Sequence, residues 1–168
     1  MDSALQTSRM LVERIVAAET ARAVRAKALA EVIRSLRAYR WVGIYDVGPE
    51  SVSVIACTGP ECPAYPVFPI SGGLTAVAIR EKKTIVVGDV RNDPRYLTAL
   101  GNTLSEMIVP VLDSAGQKVV GTIDVESEHL NAFDSAAQAL LEECARVLTD
   151  SGTAAVVSPT AVRLSFKC

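Results

Sequence analysis

Apolar residues in the first part of the chain recur every three to four positions. Leu5, Leu11, Val12, Ile15, Val24, Leu29, Val32, Ile33 and Leu36 form a stripe that predicts one long amphipathic helix or two consecutive ones over residues 4–37, with Thr20 as a candidate cap of the second. At Trp41 the period falls to two. "WVGIYDV" puts Trp41, Gly43 and Tyr45 on one face and Val42 and Ile44 on the other, which predicts a strand. "SVSVIAC" (51–57), "KTIVVGDV" (83–90), "SEMIVPVL" (105–112) and "KVVGTIDVE" (118–126) alternate likewise, and the short link "DSAGQ" marks a hairpin between the last two. The sheet is therefore expected to be antiparallel. "LTAVAIREK", after Gly72 and Gly73, predicts a short helix, and "FDSAAQALLEECARVL" a longer one. In the latter Ser135 and Gln138 have capping-box spacing, and Leu140, Leu141, Cys144, Val147 and Leu148 share one stripe. Cys144 reads as a core residue.

Composition narrows the class without changing this outline. A chain of 168 residues, 49% hydrophobic and 21% charged, fits one compact domain over 1–150, followed by a tail over 151–168 that has no clear period. The apolar runs are too short to span a membrane, and the N-terminus lacks the layout of a signal peptide, so a cytoplasmic protein is expected. Cys57, Cys62, Cys144 and Cys168 are expected as free thiols. Residues 1–40 carry 8 Lys/Arg against 4 Asp/Glu, but without aromatic interleaving before Tyr39, which reads as a solvated helix face and not a nucleic-acid surface. The single histidine, His129, forms no ligand cluster with the scattered cysteines, so neither a metal nor a cofactor is expected.

The segments "RWVGIYDV", "DVRNDPRY", "SEMIVPVLDSAGQKVVGTIDVES" and "FDSAAQALLEE" resemble those of the free methionine-(R)-sulfoxide reductases, a branch of the GAF domains, over about residues 10–150. The resemblance implies an α+β, profilin-like fold: a central antiparallel sheet of about six strands with helices on both sides, a ligand pocket over one face, and a homodimer. It also implies reactive cysteines at two places where this chain differs. The family's Gly-Val-Cys-Gly turn is matched by Gly73, Leu74, Thr75 and Ala76, and its His-Ile-Ala-Cys segment by Tyr96, Leu97, Thr98 and Ala99. Sulfoxide reduction needs a thiolate to attack sulfur and a second thiol to form the releasing disulfide. Threonine and alanine supply neither.

By the same resemblance, the pocket aromatics and acids of the family match Trp41, Tyr45, Glu106, Asp124 and Glu126. Alternation independently places Thr122, Asp124 and Glu126 on one face of their strand. On an outward face they would be solvated; on a covered face their ionised forms need a cation or hydrogen bonds. A ligand ammonium would serve, with the N–H groups of Leu74, Thr75 and Ala76 receiving its carboxylate and Tyr96 nearby. Trp41 reads equally as a ligand wall or a core aromatic.

The leading expectation is thus a non-catalytic ligand-binding module for a small amino-acid-like zwitterion or small anion. It would act through a signalling partner, because no output segment is visible in the sequence. Two alternatives stand beside it: a divergent reductase using Cys57 or Cys62, and a structural dimerisation module.

Overall fold

The computed structural model describes residues 22–37, 39–61, 63–98 and 100–150, together with Gln6, Met10 and Arg14, which are helical. Thr20, Cys62, Ala99, the tail from 151 and most of the expected first helix lie outside the described residues.

Helix α1 runs over Arg22–Arg37, followed by strands β1 (Trp41–Val47), β2 (Ser51–Thr58) and β3 (Val67–Pro69). Helix α2 (Gly73–Glu81) leads to β4 (Ile85–Val87) and a 3-10 turn at Val90–Asn92. Strands β5 (Ser105–Leu112) and β6 (Val119–Ser127) and helix α3 (Ser135–Asp150) complete the order. The strands make one six-stranded sheet in the order β3-β2-β1-β6-β5-β4, and all neighbours are antiparallel.

The two faces of the sheet differ chemically. On one, α1 and α3 pack against Val42, Ile44, Met107, Val109, Val111, Ile123 and Val125 in a wholly apolar core. Helix α1 contributes Ala26, Leu29, Ala30 and Ile33, and α3 contributes Ala137, Leu141, Cys144 and Leu148, both at helical spacing. Burying each larger side chain contributes about 1.5–3 kcal/mol, so this face dominates the hydrophobic stabilisation. The other face carries α2 and the segment between β4 and β5, over a mixed polar and apolar surface. The expected α+β arrangement with helices on both sides is present.

Several local expectations are corrected. Val24, expected on the buried stripe of α1, is 57% exposed, because the buried positions run through Ala26 and Ala30 instead. The expected strand over 83–90 shortens to Ile85–Val87, since Val90 already begins the 3-10 turn, which the Asp89 carboxylate caps by accepting from the Arg91 N–H. Strand β3 is additional: three residues on the sheet edge, pairing Ser51–Ser53 and closed by Pro69, too short to show a period. Strand β2 contains a bulge opposite Ile44/Tyr45, which reverses its alternation so that Val52, Val54 and Cys57 share a face. The α3 cap is Asp134 and not Ser135: its carboxylate accepts from the Ala137 N–H at 2.7 Å, and its carbonyl accepts from the Gln138 N–H at 3.0 Å.

The cap assignment separates two neighbouring residues by experiment. Asp134→Ala should lower unfolding stability by about 1 kcal/mol, whereas Ser135→Ala should change it by no more than a few tenths. Arg37 pairs with the other Asp134 oxygen at 3.1 Å, but the pair is exposed, so Arg37→Ala should cost less than about 0.5 kcal/mol. Equal losses at 134 and 135 in chemical denaturation would contradict the assignment.

Candidate functional site

The register of three adjacent strands builds the floor of the site. Trp41 lies opposite Glu126, which lies opposite Glu106; in the next inward row Gly43 lies opposite Asp124, which lies opposite Ile108; and Tyr45 faces Thr122. Three carboxyl side chains therefore share one face, two of them as a directly opposed cross-strand pair, an arrangement that is unfavourable for like charges. Gly43 makes the aromatic side of this floor possible. A Cβ there would stand 2.2 Å from the Trp41 ring and 2.8 Å from the Tyr45 ring, and its absence lets the two rings meet at 6.3 Å between centroids. Tyr45 in turn meets Phe68 edge-on at 5.8 Å.

All three acids are buried: Glu106 is 6%, Asp124 7% and Glu126 1% exposed. Each is shifted toward the neutral acid, for the same leading reason, loss of water. Burial, reinforced by the neighbouring acids, raises Glu106 well above the usual carboxylate range. Burial and the Glu126 charge push Asp124 up to about 8. Glu126 is pushed by burial up to about 7, with the rise opposed by a hydrogen bond from Thr103 and by the Arg40 charge. Glu106 and Asp124 stand close enough to perturb one another, and the Asp124 charge adds to the rise at Glu106. Glu106 Oε2 and Asp124 Oδ1 receive no bond from any backbone or other side-chain donor.

Above this floor is a small open cleft with a cavity volume of about 40 Å3. Tyr45, Tyr65, Phe68, Gly72, Leu74, Thr75, Leu97, Glu106 and Asp124 line it. The roof is the segment from β4 to β5. Val90 and Leu100 are buried beneath it, the Val90 N–H donates to the Leu104 carbonyl at 2.9 Å, and Thr103 reaches Glu126. Two aspartate-arginine clamps, Asp89–Arg91 and Asp93–Arg95, stiffen its exposed turns. Leu97 hangs from this roof onto the start of α2: Cβ atoms at Gly73 and Gly72 would lie 3.0 and 3.3 Å from its Cδ1. Gly73 also has a φ of +69°, a conformation that favours glycine.

Of the residues singled out from sequence, Tyr45, Leu74, Thr75, Glu106 and Asp124 line the cleft together. Glu126 and Trp41 are buried behind them, with the Trp41 indole N–H unpartnered. The Ala76 N–H donates to the Gly72 carbonyl at 3.2 Å, so within the first turn of α2 it is already committed. Tyr96 packs beside Leu74, Val87 and Ile108, where burial pushes its phenol up to about 12. Tyr65, Phe68 and Leu97 were not foreseen, nor was Thr103; they stand on an edge strand and in loops, where no periodicity points to a pocket. Cys57 is buried beside Trp41 and Tyr45, and burial raises its thiol above the ordinary cysteine value. Among the described residues no group of histidine, cysteine and carboxylate side chains could hold a metal ion, and no helix is long and apolar enough to cross a membrane.

Comparison with known proteins places this geometry. The sequence pattern of the GAF domain matches residues 22–149. GAF domain-containing protein A of Dictyostelium discoideum is 29% identical over 109 residues, 64% of this chain and 66% of that protein. The free methionine-R-sulfoxide reductase of Saccharomyces cerevisiae is 32% identical over 79 residues, 47% of this chain and 43% of its own length. The match thus spans less than two thirds of either relative. The solved structure of a free methionine-R-sulfoxide reductase from Neisseria meningitidis, in complex with its substrate, superposes with a TM-score of 0.79 at 29% identity, covering 88% of this chain and 87% of that one.

The buried acids give the empty protein an inverted pH response. Unfolded carboxyls titrate near pH 4, so above about pH 5 the unfolded chain has released protons that the folded chain still holds. The stability from this source is full on the acid side and drains as pH rises through about 7 and 8, the values of Glu126 and Asp124. Asp89, Asp93, Asp113 and Asp134 are shifted downward by hydrogen bonds and act only on the acid side of that window. The melting temperature should therefore fall from pH 5 to pH 8, and Asp124→Asn should flatten the fall. A wild-type curve that rises through this window would contradict the assignment.

Proposed function

The chain belongs to the GAF domain family, and from that premise we propose that it is a ligand-binding module that holds a small molecule by a cationic nitrogen and signals occupancy to a partner protein without chemically changing its ligand. The observation that carries this reading is the pair Glu106 and Asp124. Two almost fully buried carboxyls, each with an oxygen that has no hydrogen-bond partner, line an open cleft that has no Lys or Arg among its described lining residues. Such groups are stable only when protonated or when a cation satisfies them. A ligand ammonium or guanidinium would satisfy both oxygens with charge-assisted hydrogen bonds.

The reductase likeness supports a second reading, a divergent enzyme of that activity. Against it, Thr75 stands in the cleft wall where the resemblance implies a cysteine. Cys57 is a poor nucleophile as well, since its thiol is buried and shifted away from the thiolate form. Output through the helical face fits the architecture, because α1 and α3 pack on the side of the sheet opposite the cleft. Val24, exposed on α1, supports docking of a second copy there, and light scattering showing a monomer at micromolar concentration would count against it.

A thermal-shift screen of amines, amino acids and their oxidised forms, nitrate and nucleotides should return a nitrogen cation, because a ligand at 100 times its dissociation constant stabilises by about 2.7 kcal/mol. Asp124→Asn should then weaken its binding by about 1.5–3 kcal/mol, roughly ten- to a hundredfold, while leaving the empty protein at pH 8 at least as stable. Tighter binding of nitrate in the variant would instead identify an anion site. Thiol-dependent turnover of free methionine-(R)-sulfoxide that disappears in Cys57→Ser or Cys62→Ser would replace the sensor reading by the enzyme one.

A further inference from the structure

We propose that the cleft selects an organic monocation, a primary amine with a short apolar or aromatic tail and no carboxylate, over the corresponding α-amino acid. This rests on the cation-site reading above and narrows its ligand class. The argument is one of charge balance. The cleft wall offers Glu106 and Asp124, with Glu126 behind them, to a positive group, but among its described residues no basic side chain to a negative one. Nearby arginines are already engaged: Arg40 with Glu128 at 3.2 Å and Glu61 at 3.7 Å, Arg91 with Asp89 at 2.8 Å, and Arg95 with Asp93 at 2.6 Å.

An α-carboxylate is separated from its ammonium by a single carbon, so an amino acid anchored on the acids would hold its own anion close to them. The remaining source of compensation is the first turn of α2, whose early N–H groups have no partner within the helix. Leu97 stands there. Its isobutyl group rests on Gly72 and Gly73, too close for a Cβ at either to fit without contact. A carboxylate at that turn would give up water against a hydrocarbon surface, an unfavourable exchange.

The rest of the cleft suits a tail without charge. Tyr45 and Phe68 form an edge-to-face wall, and Leu74 lines the cleft with them. Tyr65 and Leu97, 56% and 48% exposed, frame the mouth and would lose water when a tail fills it.

Matched pairs test this directly: 3-(methylthio)propylamine against L-methionine, and 2-phenylethylamine against L-phenylalanine, each titrated calorimetrically into the wild-type chain and into Leu97→Ser, with free methionine-(R)-sulfoxide alongside. Each amine is expected to bind at least tenfold more tightly than its parent amino acid. In Leu97→Ser the gap should narrow because the amino acids gain affinity. Equal or tighter binding of the amino acids, or of the sulfoxide, by the wild-type chain would overturn the selectivity while leaving the cation site intact. If no member of either pair binds at millimolar concentration, the cation site itself falls. A wild-type preference that persists undiminished in Leu97→Ser would overturn the role given to Leu97.

Discussion

The constraint on which the site depends is the burial of three carboxyl groups on one face of a six-stranded sheet. Register makes it unavoidable: with β5 and β6 paired as they are, Glu106 and Glu126 must stand directly opposite one another, and Asp124 one row further in. An interior of this kind tolerates at most a fraction of the formal charge, so neighbouring features act to manage it. Thr103 donates to Glu126, the Arg40 charge moderates it, and burial shifts Glu106 and Asp124 toward their neutral forms. The opposite face, packed by α1 and α3, contains no charged group in its core, and it supplies the hydrophobic stabilisation that lets the polar face remain strained.

That division has a functional meaning. A site built for stability alone would replace the acids by apolar residues of similar volume, which is often neutral or favourable. A stored deficit is instead an incentive for a cationic ligand, because the ligand satisfies groups that the protein leaves wanting. The cleft presents carboxyls, aromatic rings and a threonine hydroxyl, and burial raises the thiol of the neighbouring Cys57 toward its neutral form.

Much of the frame was legible in the sequence. β1 and β5 begin and end where alternation predicts, and the stripe of α3 from Leu140 to Leu148 is buried as its spacing requires. Alternation also put Asp124 and Glu126 on a common face. It could not say that the face is covered, because the cover is the aperiodic segment from Gly88 to Leu104, held by Val90, Leu100 and Thr103 through tertiary contacts. β3 was hidden for a different reason: three residues ending in proline give no period, and their strand character comes from pairing with β2. The bulge in β2 is likewise a consequence of fitting against β1. The cap of α3 was misassigned by one position because aspartate and serine are both good caps, and only the backbone decides which carboxylate or hydroxyl faces the free N–H groups.

The same strands join the acids to the helical core. β6 alternates Asp124 on the cleft side with Ile123 and Val125 on the helix side, and β1 alternates Trp41 and Tyr45 with Val42 and Ile44. The backbones of Glu106 and Asp124 are fixed by pairing to neighbouring strands, so in the proposed cation site the adjustment to a ligand nitrogen would fall on side chains. Close-packed side chains respond to displacement in discrete steps. The acids' own strands, β5 and β6, carry Met107, Val109, Ile123 and Val125 on the face that α1 and α3 cover, so single strands join the acid row to the helical core.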